Sequence, residues 1–305
     1  MNGAVKKLLL GVGALVATVG VGGGAYAWTQ ISAFDESVAR KYDVPLPAIT
    51  LSTDPAVLAR GKHLAESIGA CATSDCHGTD LGGGKPLEMG PLGVFTGPNI
   101  TAGGLGSIYT DADLVRLVEH GVTRGGTTVR FMPAHEVNWL PADDLAAVVS
   151  YVRSVPSVAR PNGPVQLGAL AKILDRRDAI IIDVARRIDH SRIEKAGPPA
   201  PTKEYGRFIA RLCTGCHGEH LSGGPIPGAP PDMPPPRNLT PHETGLAAWS
   251  LDDFKRALVQ GKRPDGTALD GKWMPFEAFS HMDETELAAL WDALRATPPR
   301  PLGER

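Results

Sequence analysis

Apolar positions in this chain recur with the period of a helix and almost never with the period of two that a half-buried strand requires. Apolar helical stripes run over Pro55–Ile68, Asp143–Ser154, Thr202–Leu212 and Asp283–Ala296. Two further helices open on an acceptor followed by acids, Thr110 with Asp111 and Asp113, and Ser250 with Asp252 and Asp253. Such starts satisfy the free amides of a first turn and favour negative charge there. No stretch alternates over a strand length, so the pattern predicts a mainly α protein.

The amino-terminal thirty residues follow a different pattern. Lys6 and Lys7 precede an uncharged run from Leu8 to Trp28, which is 21 residues and long enough to cross a bilayer as a helix. The two lysines would hold the amino terminus in the cytoplasm and place the remainder outside, in a periplasm-like space. A cleaved signal competes with this reading, because Ala25-Tyr26-Ala27 is an acceptable small-x-small site. Both readings export the chain. Residues 1–29 are thus read as a transmembrane helix or signal, and residues 30–55, with the proline-spaced Tyr42-Asp43-Val44-Pro45-Leu46-Pro47, as an extended spacer.

Beyond residue 55 one pattern is written twice. His77-Gly78-Thr79-Asp80-Leu81-Gly82-Gly83-Gly84 matches His217-Gly218-Glu219-His220-Leu221-Ser222-Gly223-Gly224, 140 residues on. Asn99-Ile100-Thr101 matches Asn238-Leu239-Thr240, Met132-Pro133 matches Met274-Pro275, and Arg153 matches Arg295, all in the same order. The repeat predicts domains over 56–157 and 201–300. Residues 158–200 between them read as a helical linker, centred on Leu167–Ile188 and packed against both units. Contact of this stretch with a membrane surface or a partner is the alternative.

Composition narrows the chemistry. The formal net charge of −2 gives no basic footprint, which argues against nucleic acid as a partner. Gly and Pro together supply 36 and 27 of 305 residues, and aromatics only 6%, so short helices, long loops and a thin aromatic core are expected. The four cysteines form two pairs, each ending in Cys-His. Cys213-Thr214-Gly215-Cys216-His217 is C-x-x-C-H, the attachment signature of covalent haem, in which two thiols add to two vinyl groups and the adjacent histidine meets the iron. Zinc would want four ligands where each unit clusters three, and a disulfide would leave the histidine unexplained twice. Cys71 to His77 reads C-x4-C-H, with two more residues between the thiols but the same continuation.

Met132 and Met274, 55 and 57 residues after His77 and His217, are the candidate sixth ligands of the iron, each stiffened by a following proline. Lone methionines usually fill core gaps, but two at one offset from two Cys-His motifs do not read as filler. His63, His120, His135 and His281 lack a counterpart in the other unit and read as structural or surface residues. Pro98 with Asn99, and Pro236, Arg237 and Asn238, lie in the loops expected to pass the histidines. There a proline carbonyl would accept the imidazole N–H, and Arg237 would meet a haem propionate in the second unit.

On these motifs the chain resembles a class I c-type cytochrome duplicated in tandem. More closely, it is similar to the exported, membrane-anchored di-haem cytochromes c of bacteria, relatives of the cytochrome subunits of membrane-bound alcohol and sugar dehydrogenases. The resemblance covers residues 56–300. It implies two tandem cytochrome c-like domains after an N-terminal transmembrane helix, with two covalent haems on Cys71, Cys76, Cys213 and Cys216. Those dehydrogenase subunits typically carry three haems, and two attachment sites exist here. The function implied is transfer of single electrons between redox proteins on the periplasmic side, from a dehydrogenase subunit toward a terminal acceptor, with no catalysis of its own. The enzyme alternative is a di-haem peroxidase or thiosulfate-type oxidoreductase, which would need an open or unusually ligated iron.

Overall fold

The computed structural model describes residues 3–305, apart from the side chains of residues 4–17. Helix starts fall where acceptors and acids mark them. The Thr110 hydroxyl accepts from the Asp113 amide (3.2 Å) while the Asp113 carboxylate accepts from the Thr110 amide (3.0 Å). Ser250 and Asp253 repeat this box at 3.2 and 3.1 Å, and Asp283 with Glu286 repeats it at 2.8 and 3.1 Å.

The helices in chain order are α1 (Gly3–Ala39), α2 (Pro55–Glu66), α3 (Asp111–His120), α4 (Ala134–Val137), α5 (Ala142–Ser154), α6 (Ala169–Arg176), α7 (Lys203–Ile209), α8 (Arg211–His217), α9 (Leu251–Gln260), α10 (Phe276–Phe279) and α11 (Glu284–Arg295). One small antiparallel sheet, β1 (Leu87–Glu88), β2 (Gly93–Phe95) and β3 (Gln166–Leu167), has β2 in the middle. The protein is therefore mainly helical, as the periodicity predicts, with short strands too brief to leave an alternating pattern.

Two helix pairs organise the fold: α2 packs on α5, and α7 packs on α11. Each crossing is made close by a glycine. A Cβ on Gly61 would lie 2.0 Å from the Ala147 carbonyl oxygen, and one on Gly206 would lie 1.8 Å from the Ala289 carbonyl oxygen. The pairs share one core. Leu64, Ile68, Trp139, Leu145 and Val149 from the first stretch join Tyr205, Phe208, Ile209, Leu290 and Leu294 from the second in a single buried cluster. Trp139, fully buried, meets Phe208 at a ring separation of 5.6 Å and Tyr205 edge-on at 6.0 Å.

Three expectations are corrected. Residues 30–55 are not wholly extended: α1 runs to Ala39, because Phe34 and Val38 one turn apart enter a small core with Leu92, Phe95, Ala171 and Ile182. The strand-like remainder is not a free spacer either. Val44 is buried with Val122 and Ala185, the Tyr42 amide donates to the Gly126 carbonyl (2.8 Å), and the Ser52 amide donates to the Ser150 hydroxyl (3.0 Å). The linker 158–200 is helical only over α6 and a three-residue 3-10 turn at Ala185–Arg187. The Asp175 carboxylate accepts the Ile182 and Asp183 amides (2.7 and 3.0 Å), turning the chain back where a helix would continue. Finally, the helix expected over Thr202–Leu212 breaks at Ala210 into α7 and α8.

Among the described residues no helix is long and apolar enough to cross a membrane. Lys6, Lys7 and Leu8–Ala17, on which the membrane-span expectation chiefly rests, have side chains outside the described ones. Further along α1, Val19, Val21, Tyr26 and Trp28 are exposed, with the Tyr26 hydroxyl accepting from Arg177 Nη1 (3.1 Å), and the helix becomes buried against the body of the protein at Phe34.

Candidate haem-binding sites

C-x-x-C-H lies on α8, whereas Cys71 to His77 winds through turns, the local effect of two more residues between the thiols. Downstream the two loops converge atom for atom. Gly78 and Gly218 follow the histidines with φ of +78° and +81°, a conformation that favours glycine. Leu81 and Leu221 then take φ of +57° and +59°, which is strained for a leucine, and both are buried. The Gly83 and Gly223 amides return to the His77 and His217 carbonyls at 2.8 Å each.

This loop aims the imidazoles. His77 Nδ1 donates to the Pro98 carbonyl (2.8 Å), and His217 Nδ1 donates to the Arg237 carbonyl (2.6 Å). The acceptor is thus the residue before the asparagine in both loops. The prolines themselves are out of register: the Pro236 carbonyl accepts from Gly224 (2.9 Å), where Gly97 accepts from Gly84 (3.0 Å). The expected proline-carbonyl role holds for Pro98 and is corrected for Pro236. Arg237 acts through its backbone, and its side chain is exposed. Asn99 and Asn238, both buried, fix the loops identically. Each side-chain oxygen accepts from the amide and hydroxyl of Thr101 (3.0 and 2.7 Å) or Thr240 (2.9 and 2.8 Å).

Burial pushes both histidines below their ordinary value. Each is therefore a neutral ring with its proton on Nδ1, and among the described residues no hydrogen bond occupies Nε2 of either. That is the tautomer an iron ligand requires. The four cysteines are free thiols, and burial pushes Cys71 and Cys213 up to about 12. Buried thiols next in sequence to a neutral histidine whose Nδ1 is tied to a carbonyl fit thioether attachment of a haem. They fit a disulfide or a reactive thiolate poorly.

Met132 and Met274, both half-buried, occupy one backbone setting. Pro133 (φ −81°, ψ 57°) starts α4 and Pro275 (φ −76°, ψ 57°) starts α10, and each methionine carbonyl accepts from the residue after its proline, Ala134 (2.8 Å) or Phe276 (2.7 Å). Arg153 and Arg295 brace the loops before α3 and α9, by the Tyr109 carbonyl (2.6 Å) and the Leu246 carbonyl (3.0 Å) respectively.

Three features escaped the sequence pattern. Glu136, on α4, is a buried carboxylate whose Oε1 would lie 2.8 Å from a Cβ on Gly215, inside C-x-x-C-H. Burial pushes it up to about 8. The glycine in that motif is the only available signal, since a side chain there would strike the acid. His63 joins the two helix pairs, its Nε2 lying 2.9 Å from Glu286. His120 pairs with His190 at 3.2 Å.

No protein-family model matches the chain. Among curated proteins it is 27% identical over 270 residues to the gluconate 2-dehydrogenase cytochrome c subunit of Pantoea cypripedii, covering 77% of this chain and 58% of that one. It is 26% identical over 279 residues to the alcohol dehydrogenase (quinone) cytochrome c subunit of Gluconobacter oxydans (strain 621H), covering 82% and 57%. A shorter match, 29% over 99 residues, covers 30% of this chain and 20% of the fructose dehydrogenase cytochrome subunit of Gluconobacter japonicus. The chain thus has homologues named as cytochrome c subunits of dehydrogenases, at modest identity over most of its length. It spans under three fifths of the first two relatives.

Proposed function

We propose that this chain is a di-haem c-type cytochrome that passes single electrons as a non-catalytic subunit beside a dehydrogenase. One observation carries the reading. The same histidine setting is built twice, with Nδ1 tied to a backbone carbonyl and Nε2 unbonded beside two free thiols. Cys71, Cys76, Cys213 and Cys216 would hold two haems covalently. His77 with Met132, and His217 with Met274, would be the axial ligands. Haem c so held supplies a one-electron couple at a six-coordinate iron, with its potential raised by the thioether ligand.

The chain's own residues set the conditions. The Pro98 and Arg237 carbonyls hold the imidazole protons on Nδ1. Asn99 and Asn238 keep those carbonyls in place, and the Met-Pro turns fix where the sulfurs approach. Methionine in both units leaves no open position for a substrate, which speaks against the peroxidase and thiosulfate alternatives. The relatives' names support a dehydrogenase as the electron donor.

The same reading places both units on the periplasmic side of a bacterial inner membrane. It is supported by Lys6 and Lys7 before the apolar run to Trp28, and by the exposed Val19, Val21 and Trp28 along α1. The test is a potentiometric titration of the exported holoprotein with carbon monoxide challenge. Two one-electron steps and no carbon monoxide adduct of the reduced protein are expected. An adduct at either haem under native conditions would contradict a purely electron-carrying role.

A further inference from the structure

Where the linker meets α4, α7 and α8, a cavity of about 300 Å³ opens that electron transfer does not use. Three stretches of chain wall it: Arg187 and Arg192 from the linker, His135 and Asn138 from α4 and its cap, and Arg207 and Arg211 from α7 and α8. Four guanidiniums converge on one space.

Acids offset part of their charge. Arg187 pairs with Asp178 (2.8 Å) and Arg207 with Glu194 (2.7 Å). Arg192 and Arg211 form no ion pair among the described residues. The remaining acid on the wall, Asp189, accepts from the amide and hydroxyl of Ser191 (3.0 and 2.7 Å) and faces the charge of Arg192, as Glu194 faces those of Arg192 and Arg211. Arg211 donates through Nη2 to the His135 carbonyl (2.7 Å) and to Asn138 Oδ1 (3.1 Å). Two polar atoms here are buried and unpartnered among the described residues, His135 Nδ1 and Arg187 Nε.

Such atoms cost about 1–3 kcal/mol each when left unbonded, and two in one cationic wall point to an absent acceptor. The field is felt nearby. Burial first, then the charges of Arg211 and Arg187, push His135 down to about 4. Burial, opposed by nearby acids and reinforced by Arg207, also lowers Arg211. Guanidinium forks match the paired oxygens of carboxylates and phosphates, and a concavity walled by three stretches of chain suits a free ion better than a flat protein face.

We propose that this cavity binds a small multiply charged oxyanion, a phosphate or a di- or tricarboxylate, through Arg192 and Arg211 with His135 beside them. Because the walls come from the linker, from α4 and from α7 and α8, an anion here would tie three parts of the molecule together and stabilise the fold by mass action.

The test uses the full-length purified protein and two probes, inorganic phosphate and citrate, titrated calorimetrically at constant ionic strength against sodium chloride. Saturable one-to-one binding of at least one probe is expected, with a concentration-dependent rise in Tm that chloride does not give. Arg192→Gln and Arg211→Gln should each weaken binding about tenfold or more. Arg192 is exposed and makes no side-chain hydrogen bond, so its variant keeps the test valid if Arg211→Gln fails to fold. The proposal is overturned by the absence of saturable heat with either probe up to about 10 mM, by unaltered affinity in Arg192→Gln, or by binding of an oligo-aspartate peptide alone. None of these readouts depends on haem content, so failure here and failure of the electron-transfer reading are separate results.

Discussion

At the scale of single residues, the paired histidines show why a motif is legible and its support only partly so. C-x-x-C-H is a covalent requirement, so Cys213, Cys216 and His217 declare themselves in any sequence. The carbonyl that orients His217 belongs to Arg237, and no side-chain pattern announces a backbone acceptor. Counting back from Asn238 finds it, whereas looking for a proline leads to Pro236, one residue too early. Met274 has the opposite status, placed by spacing and by its turn but proven only by replacement. Met274→Ala should remove the sulfur-to-iron absorption of one ferric haem and open that haem to carbon monoxide, with the other unchanged. An unaltered spectrum would reject Met274 as a ligand.

His63 carries a pH dependence of known sign. Its hydrogen bond to Glu286 raises it above the ordinary histidine value, against the opposing effect of burial. An imidazole raised by folding contributes stability that is complete below its unfolded value, about 6.5, and is lost as pH climbs through the folded value. Wild type should therefore exceed His63→Gln by a few degrees in Tm, about 1 kcal/mol, in mild acid. That margin should shrink toward zero on the alkaline side of neutrality. A margin that grows with pH would contradict the assignment.

At the scale of elements, caps and apolar stripes placed most helices within a residue or two. The α3, α9 and α11 starts were legible because a capping box is a local device written in four consecutive residues. The linker was not, because Asp175 captures two amides seven and eight residues on, and a buried side chain that competes with helix hydrogen bonds has no periodic signature. Nor did periodicity mark Gly61 and Gly206 as crossing points, since the requirement comes from the partner helix. Gly206→Val should force α7 from α11 and cost about 3 kcal/mol, read as a lower Tm. Gly197→Ala, with nothing within 4 Å of the new Cβ, should leave Tm within a degree or so.

At the scale of the whole molecule, the sequence reads as two units, yet Trp139, Tyr205, Phe208 and Leu64 lie in one core. Periodicity reports which face of a helix is apolar, not which helix it meets, so a core shared across the repeat stays hidden until the chain is folded. Calorimetry should show one cooperative unfolding transition, and fragments divided within 158–200 should each lose it. Two independent transitions would mean that the shared core contributes little. The claim on which the function rests is simpler. The haem content per chain, by the alkaline pyridine assay on protein matured with haem attachment, should be two, and both should stay with the polypeptide under denaturing conditions. A content of one would break the equivalence of the His77 and His217 sites, and a content of zero would contradict the account as a whole.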